Sequence, residues 1–294
     1  MARNAEILGL ATIATLGALA LARRGARSSV TRSSDSARPV HWAAALLALS
    51  SLADSAVEHY RGSFHNKAMY VPLAVSAATL VASVRDAAVS RERSGSGVID
   101  NLALASGVVG TGFHLYNIGK RPGRFSWLNL FYAAPLGAPA ALALAGLLRK
   151  VGGWLGSGRP FCGQSPAKLL AGLVTLGLVG SSAEAGLLHF RGAYRNPAMV
   201  VPITVPPLAA ALLTRAAMTP RQAHPAARWT LRVLAGVGLL GSAFHAYGIQ
   251  RNMGGWRNWS QNVLNGPPLP APPAFTALAL AGLAALRFLE RHDA

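Results

Sequence analysis

A chain of 294 residues that is 52% hydrophobic and only 13% charged lacks the Lys- and Glu-rich faces with which a soluble domain of this length covers itself. Its net charge of +18 would suggest nucleic acid in a soluble protein. Here the arginines fall in short links between apolar segments, where membrane topology and anionic lipid account for them and nucleic acid does not. Cys162 is the single cysteine, which excludes an internal disulfide and a thiolate metal cage.

The apolar segments are of membrane-spanning length and do not alternate apolar with polar residues, so they predict α-helices and not barrel strands. Ile7 to Ala22 is the first, closed by Arg23, Arg24 and Arg27. Ala18-Leu-Ala20 would be a weak cleavage signal, but the basic residues follow the run instead of preceding it, which favours a retained helix. Residues 1–39 thus read as an N-terminal transmembrane helix and a basic link. Four spans follow, at about Val40–Tyr60, Ala68–Val84, Val98–Ile118 and Leu128–Leu148, within a first unit over residues 40–150. A Gly- and Pro-rich link from Arg149 to Lys168 precedes a second unit over residues 169–294, with spans at about Leu169–His189, Ala198–Met218, Thr230–Ile249 and Pro272–Leu289. The fold class expected is an all-α integral membrane protein of about nine helices, one N-terminal helix plus two four-helix repeats.

The second unit copies the first. His59-Tyr-Arg61-Gly62-Ser-Phe-His-Asn66-Lys-Ala68-Met69-Tyr-Val71-Pro72 returns as His189-Phe-Arg191-Gly192-Ala-Tyr-Arg-Asn196-Pro-Ala198-Met199-Val-Val201-Pro202, with eight of fourteen positions identical. Gly107-x-x-Gly110-x-x-Phe113-His114-x-Tyr116 returns as Gly238-x-x-Gly241-x-x-Phe244-His245-x-Tyr247. Trp127 and Pro135 align with Trp259 and Pro267 if the second loop is one residue longer. A gapless match at this offset marks a tandem duplication. Four is an even number of spans, so both units begin on the same side of the membrane and run parallel, related by a pseudo-twofold axis along its normal.

Counting Lys and Arg assigns the sides. The links after the first helix, between the second and third spans of each unit, between the units, and at the C-terminus hold 18 of the 28 basic residues. That side is expected to be cytoplasmic, and in a bacterial inner membrane the duplicated motif then faces the periplasm.

Four histidines occur in both copies, His59, His114, His189 and His245, all at helix ends on the motif side. They are candidate metal or haem ligands. Gly110 and Gly241, one turn before His114 and His245, extend with Gly107 and Gly238 into a track where a flat cofactor or a neighbouring helix could approach the backbone. Asp54 and Glu184 occupy equivalent positions inside the first span of each unit, where an ionisable group is expensive and marks a site for a proton, a metal or an ion pair. Arg61 and Arg191 stand at headgroup level, suited to a phosphate or a carboxylate. Met69 and Met199 suit packing, or copper in the company of histidine.

The reading ranked first is a membrane-embedded electron-transfer subunit. Haem b would be held by the duplicated histidines, and electrons would pass between a periplasmic or membrane partner subunit and quinone. The alternative is a metal-handling or cofactor-free carrier or scaffold with a His/carboxylate site on the periplasmic side. No nucleophile–base pair or phosphate loop stands out, so a non-catalytic subunit of an oxidoreductase, in contact with membrane lipid, is expected in preference to an enzyme in its own right.

Overall fold

A computed structural model of the chain describes residues 37–89, 97–157 and 163–290. These residues are helical, with no strand among them. The ten α-helices are α1 (Arg38–Arg61), α2 (Val71–Val89), α3 (Val98–Gly119), α4 (Trp127–Phe131), α5 (Gly137–Ser157), α6 (Pro166–Arg191), α7 (Val201–Met218), α8 (Pro225–Gln250), α9 (Trp259–Asn265) and α10 (Pro273–Leu289). Six of them, α1, α2, α3, α6, α7 and α8, are long and apolar enough to cross a membrane once the short turns leading into α2 and α7 are included. With α5 and α10 they make two sets of four long helices, while α4 and α9 are short insertions before the last member of each set. The expected helix over Ile7–Ala22, and Cys162, lie outside the described residues.

Local chemistry explains where the helices start. Proline sits in the first turn of α1, α6, α8 and α10, where its missing N–H costs nothing. Ser165 adds a side-chain cap on Lys168 N at α6. The link from α1 to α2 is built the same way in both units. The chain leaves α1 through left-handed Ser63 and Phe64, and α6 through Ala193 and Tyr194. Asn66 then accepts a hydrogen bond from Ala68 N, and Asn196 one from Ala198 N, both at 2.9 Å, to open a 3-10 turn. Gly62 and Gly192 do not themselves turn the chain, since their φ is −78°. The methyl groups of Met69 and Met199 pack over them, 3.0 and 3.2 Å from where a Cβ would stand. Both methionines therefore have a packing role.

The expected fourth span of the first unit, Leu128–Leu148, is not one helix. α4 ends at Phe131, residues 132–136 form a loop around Pro135, and α5 runs from Gly137 to Ser157. The apolar Leu128, Leu130 and Phe131 gave the loop the look of a span. Arg149 consequently lies inside α5 and not in the link between units, and it is 1% exposed.

At the centre of the bundle α1 and α6 each pack on both α5 and α10; α2 and α3 flank the first set, α7 and α8 the second. The core is made of small and aliphatic side chains such as Ala44, Leu47, Leu148, Leu170, Val174, Ala279 and Ala285. Within a membrane, close approach of such small residues gives the dispersion contact that holds helices together. One polar cluster interrupts it. Arg149 Nε donates to Asp100 Oδ1 at 2.6 Å and Nη1 to Ser83 Oγ at 3.1 Å, and Nη2 pairs with Asp86 Oδ2 at 2.9 Å. Neither half of this set was singled out by the sequence pattern.

Candidate functional site: two tethered histidine pairs

His59 and His189 sit in the last turn of α1 and α6, and His114 and His245 near the ends of α3 and α8. Each is fixed by its Nδ1. His59 Nδ1–H donates to Met69 O at 2.7 Å and His189 Nδ1–H to Met199 O at 2.9 Å. His114 Nδ1–H donates to Pro135 O, and His245 Nδ1–H to Pro268 O, both at 2.7 Å. A carbonyl oxygen only accepts, so the proton must be on Nδ1, and the neutral ring keeps its lone pair on Nε2. Metal-ligating histidines are held in this way, one nitrogen bonded to a backbone carbonyl and the other presented.

Within each unit the histidine of the first helix stands near that of the third. His189 and His245 have centroids 6.5 Å apart and planes at 75°. His114 stands within electrostatic reach of His59, which also has Glu58 and His65 near it. In the second unit Leu188 and Arg195 replace those two neighbours, so the first pair lies in the more titratable surroundings. All four rings are half-buried.

The glycine tracks are filled. A Cβ on Gly107 would overlap the backbone of Pro139 and Ala143, and one on Gly238 would overlap Pro272 and Thr276. Gly110 and Gly241 face the Cβ atoms of Pro139 and Pro272, 3.1 and 2.8 Å from where a Cβ would stand. The tracks therefore seat α5 and α10 against α3 and α8 and hold no flat group. These contacts also fix the alignment of the units. Pro139 pairs with Pro272, Ala143 with Thr276 and Pro135 with Pro268, so the second loop is two residues longer than the first. The alignment of Pro135 with Pro267 is corrected accordingly.

Asn129 and Asn262, missed at the level of sequence, close the outer loops. Asn129 Nδ2 donates to Pro122 O at 2.9 Å and Arg124 O at 2.6 Å; Asn262 Nδ2 donates to Met253 O at 3.2 Å and Gly255 O at 2.9 Å. An alignment based on the two tryptophans put Asn129 opposite Gln261 and hid the pair.

The carboxylates differ from each other. Glu184 Oε1 accepts from Gly137 N at 2.9 Å, so a side chain of the second unit caps α5 of the first. Asp54 has Glu58, Glu184 and Arg61 within electrostatic reach. Arg61 pairs with Glu58 at 2.7 Å. Its counterpart Arg191 instead donates to Phe131 O at 3.0 Å and lies 5.0 Å from the Tyr132 ring centre. Neither arginine forms an ion pair with Asp54 or Glu184. The surrounding loops, residues 62–70, 120–136, 192–200 and 251–272, contain basic residues and no Asp or Glu. Exposed aromatics, among them Phe113, Tyr116, Trp127, Phe244 and Tyr247, ring the same end of the bundle, as suits a membrane interface.

No family model matches the chain, and comparison with curated proteins and with solved structures finds no match. Fold and site together define a class in physical terms: an all-helical, membrane-type protein built as a duplication, with a tethered imidazole pair at the same end of each half.

Proposed function

We propose that the protein is a membrane-embedded electron-transfer subunit in which the histidine pairs would hold haem b. The observation that carries this reading is the common state of the four imidazoles, each with Nδ1–H committed to a backbone carbonyl and its lone pair left on Nε2, together with the His189 and His245 rings 6.5 Å apart. Two ligands suffice for an iron whose other four positions belong to a porphyrin. A bare ion asks for three or four protein ligands, and among the described residues no group of three or more His, Cys, Asp and Glu side chains is placed to hold one. The haem would lie between paired rings and not over Gly110 and Gly241, whose faces are filled. When bound, it would carry one electron at a time; the chain would orient the ligands and set their basicity through the four carbonyl tethers.

The setting proposed is a bacterial inner membrane with the histidine end toward the periplasm, as the distribution of Lys and Arg favours. The acid-free basic loops at that end, with Arg61 and Arg191 at the helix ends beside them, would meet anionic headgroups and an acidic periplasmic or membrane partner subunit, and quinone would exchange the electrons within the bilayer.

A reduced-minus-oxidised absorption spectrum of the detergent-purified protein tests the proposal. Sharp b-type bands are expected. Histidine variants then separate ligation from structure, because Asn places an N–H near the position of Nδ1 and Gln places its amide near that of Nε2. His245→Asn is expected to keep the bond to Pro268 O and the fold while losing the share of the bands that the second pair holds. A featureless spectrum from folded, fully recovered protein sinks the haem reading, and metal retained on elemental analysis in that case favours the metal-handling alternative.

A further inference from the structure

The duplication places two carboxylates in equivalent positions and then treats them differently. Glu184 is hydrogen-bonded to the N-terminal amide of α5, and a Cβ on Gly137 would collide with the Glu184 carboxylate where it caps the helix. The residue equivalent to Gly137 in the second unit, by the spacing that pairs Pro139 with Pro272, is Pro270. Proline has no N–H to give. Its carbonyl accepts a hydrogen bond from Ser50, so it stands close to α1, and Asp54 is one methylene shorter than glutamate. Among the described residues no hydrogen bond reaches the Asp54 carboxyl.

A second asymmetry concerns the way out. Asp54, Glu58 and Arg61 follow one another on one face of α1, spaced four and three residues apart. Glu58 and Arg61 have side chains 29% and 47% exposed, so polar groups run from Asp54 to the surface. In α6 the corresponding face reads Glu184, Leu188, Arg191, and the leucine interrupts it. The charged groups that reach Asp54 are Glu58 and Arg61 of its own helix and Glu184 of α6; α2, α5 and α10, packed against the same helix, bring none.

We infer that Asp54 is a proton-binding site, a carboxyl left without a capping partner, while Glu184 is a fixed helix cap. An unbonded carboxylate in an apolar span has no partner to hold its charge and takes up a proton instead. The inference does not depend on the haem reading, since it concerns the carboxyls alone.

N,N′-Dicyclohexylcarbodiimide tests it. This apolar reagent adds a protonated carboxyl across one C=N bond: the acid proton goes to nitrogen, the acid oxygen to the central carbon, and the adduct rearranges to a stable N-acylurea. Treatment of the full-length protein in detergent, followed by mass mapping, is expected to find the adduct on Asp54 and not on Glu184, and to find less of it as pH rises. Asp54→Asn loses the adduct. Asp54→Glu combined with Pro270→Gly rebuilds the arrangement of the second unit and is expected to lose it as well. An adduct on Glu184 with Asp54 bare, on both equally, or on neither would overturn the assignment, and the mapping of the unsubstituted protein decides this without any variant.

Discussion

Gly282 stands in the second unit where Arg149 stands in the first. The same alignment sets Leu213 opposite Ser83, Ala216 opposite Asp86 and Leu231 opposite Asp100, and all three replacements are fully buried. Where the guanidinium meets Asp100, the Leu231 side chain fills the space over Gly282, 2.9 Å from where a Cβ would stand. One fold thus contains two solutions to the same packing problem, one ionic and one apolar.

Removing a single member of the ionic solution strands the others. Arg149→Met is expected to cost about 3–5 kcal/mol. Transplanting the apolar solution whole, as Ser83→Leu, Asp86→Ala, Asp100→Leu and Arg149→Gly together, is expected to recover most of that loss. Thermal or denaturant unfolding in detergent compares the two. A quadruple variant no more stable than Arg149→Met would show that the units are not interchangeable here.

The glycine tracks make a prediction with a built-in control. Gly107→Ala and Gly238→Ala force a methyl group into backbone and are expected to destabilise by about 1–3 kcal/mol, as overpacking does. Gly112→Ala on the same α3 meets nothing within 4 Å and is expected to leave stability unchanged or raise it by up to about 1 kcal/mol. Equal effects at Gly107 and Gly112 in an unfolding titration would contradict the packing described.

Asn129 and Asn262 each hold a loop through two carbonyls. Asn129→Ala and Asn262→Ala are expected to cost about 0.5–1.5 kcal/mol for each hydrogen bond lost, and to speed limited proteolysis within residues 120–136 and 251–266 respectively. Cleavage rates unchanged by either substitution would deny the staple.

At the glycines beside methionine the relaxation is easier. Gly62→Ala presses on the end of a flexible side chain, not on backbone, so Gly62→Ala paired with Met69→Leu is expected to be more stable than Gly62→Ala alone. The double variant proving worse would mean that Met69 does more than cover the glycine.

Much of this architecture was legible because duplication doubles every signal. The helices from Val98 and Thr230, the loops opened by Asn66 and Asn196, and the four histidines all stand out when two copies are laid side by side. What differs between copies was hidden for the same reason. Arg149, Asp86 and Asp100 have no charged counterparts, and Arg149 fell in a segment whose glycines suggest a link although α5 continues through Gly152 and Gly153. The filling of the glycine tracks was open to either reading, since a helix and a flat cofactor ask for the same missing side chains. Which carboxylate receives an amide depended on a two-residue difference in loop length that only the contacts of Pro139 and Pro272 reveal.

The buried arginine also imposes an order on biogenesis. Synthesis delivers α2 and α3, with Asp86 and Asp100, before α5 emerges. A lone arginine at the middle of a membrane helix costs roughly 2.5–3.5 kcal/mol to insert, and here the counter-ions are already waiting in the adjacent hairpin. The order of synthesis thus supplies Asp86 and Asp100 before the arginine that they hold. α10 carries glycine at the same place and brings no charge there that needs counter-ions from its predecessors.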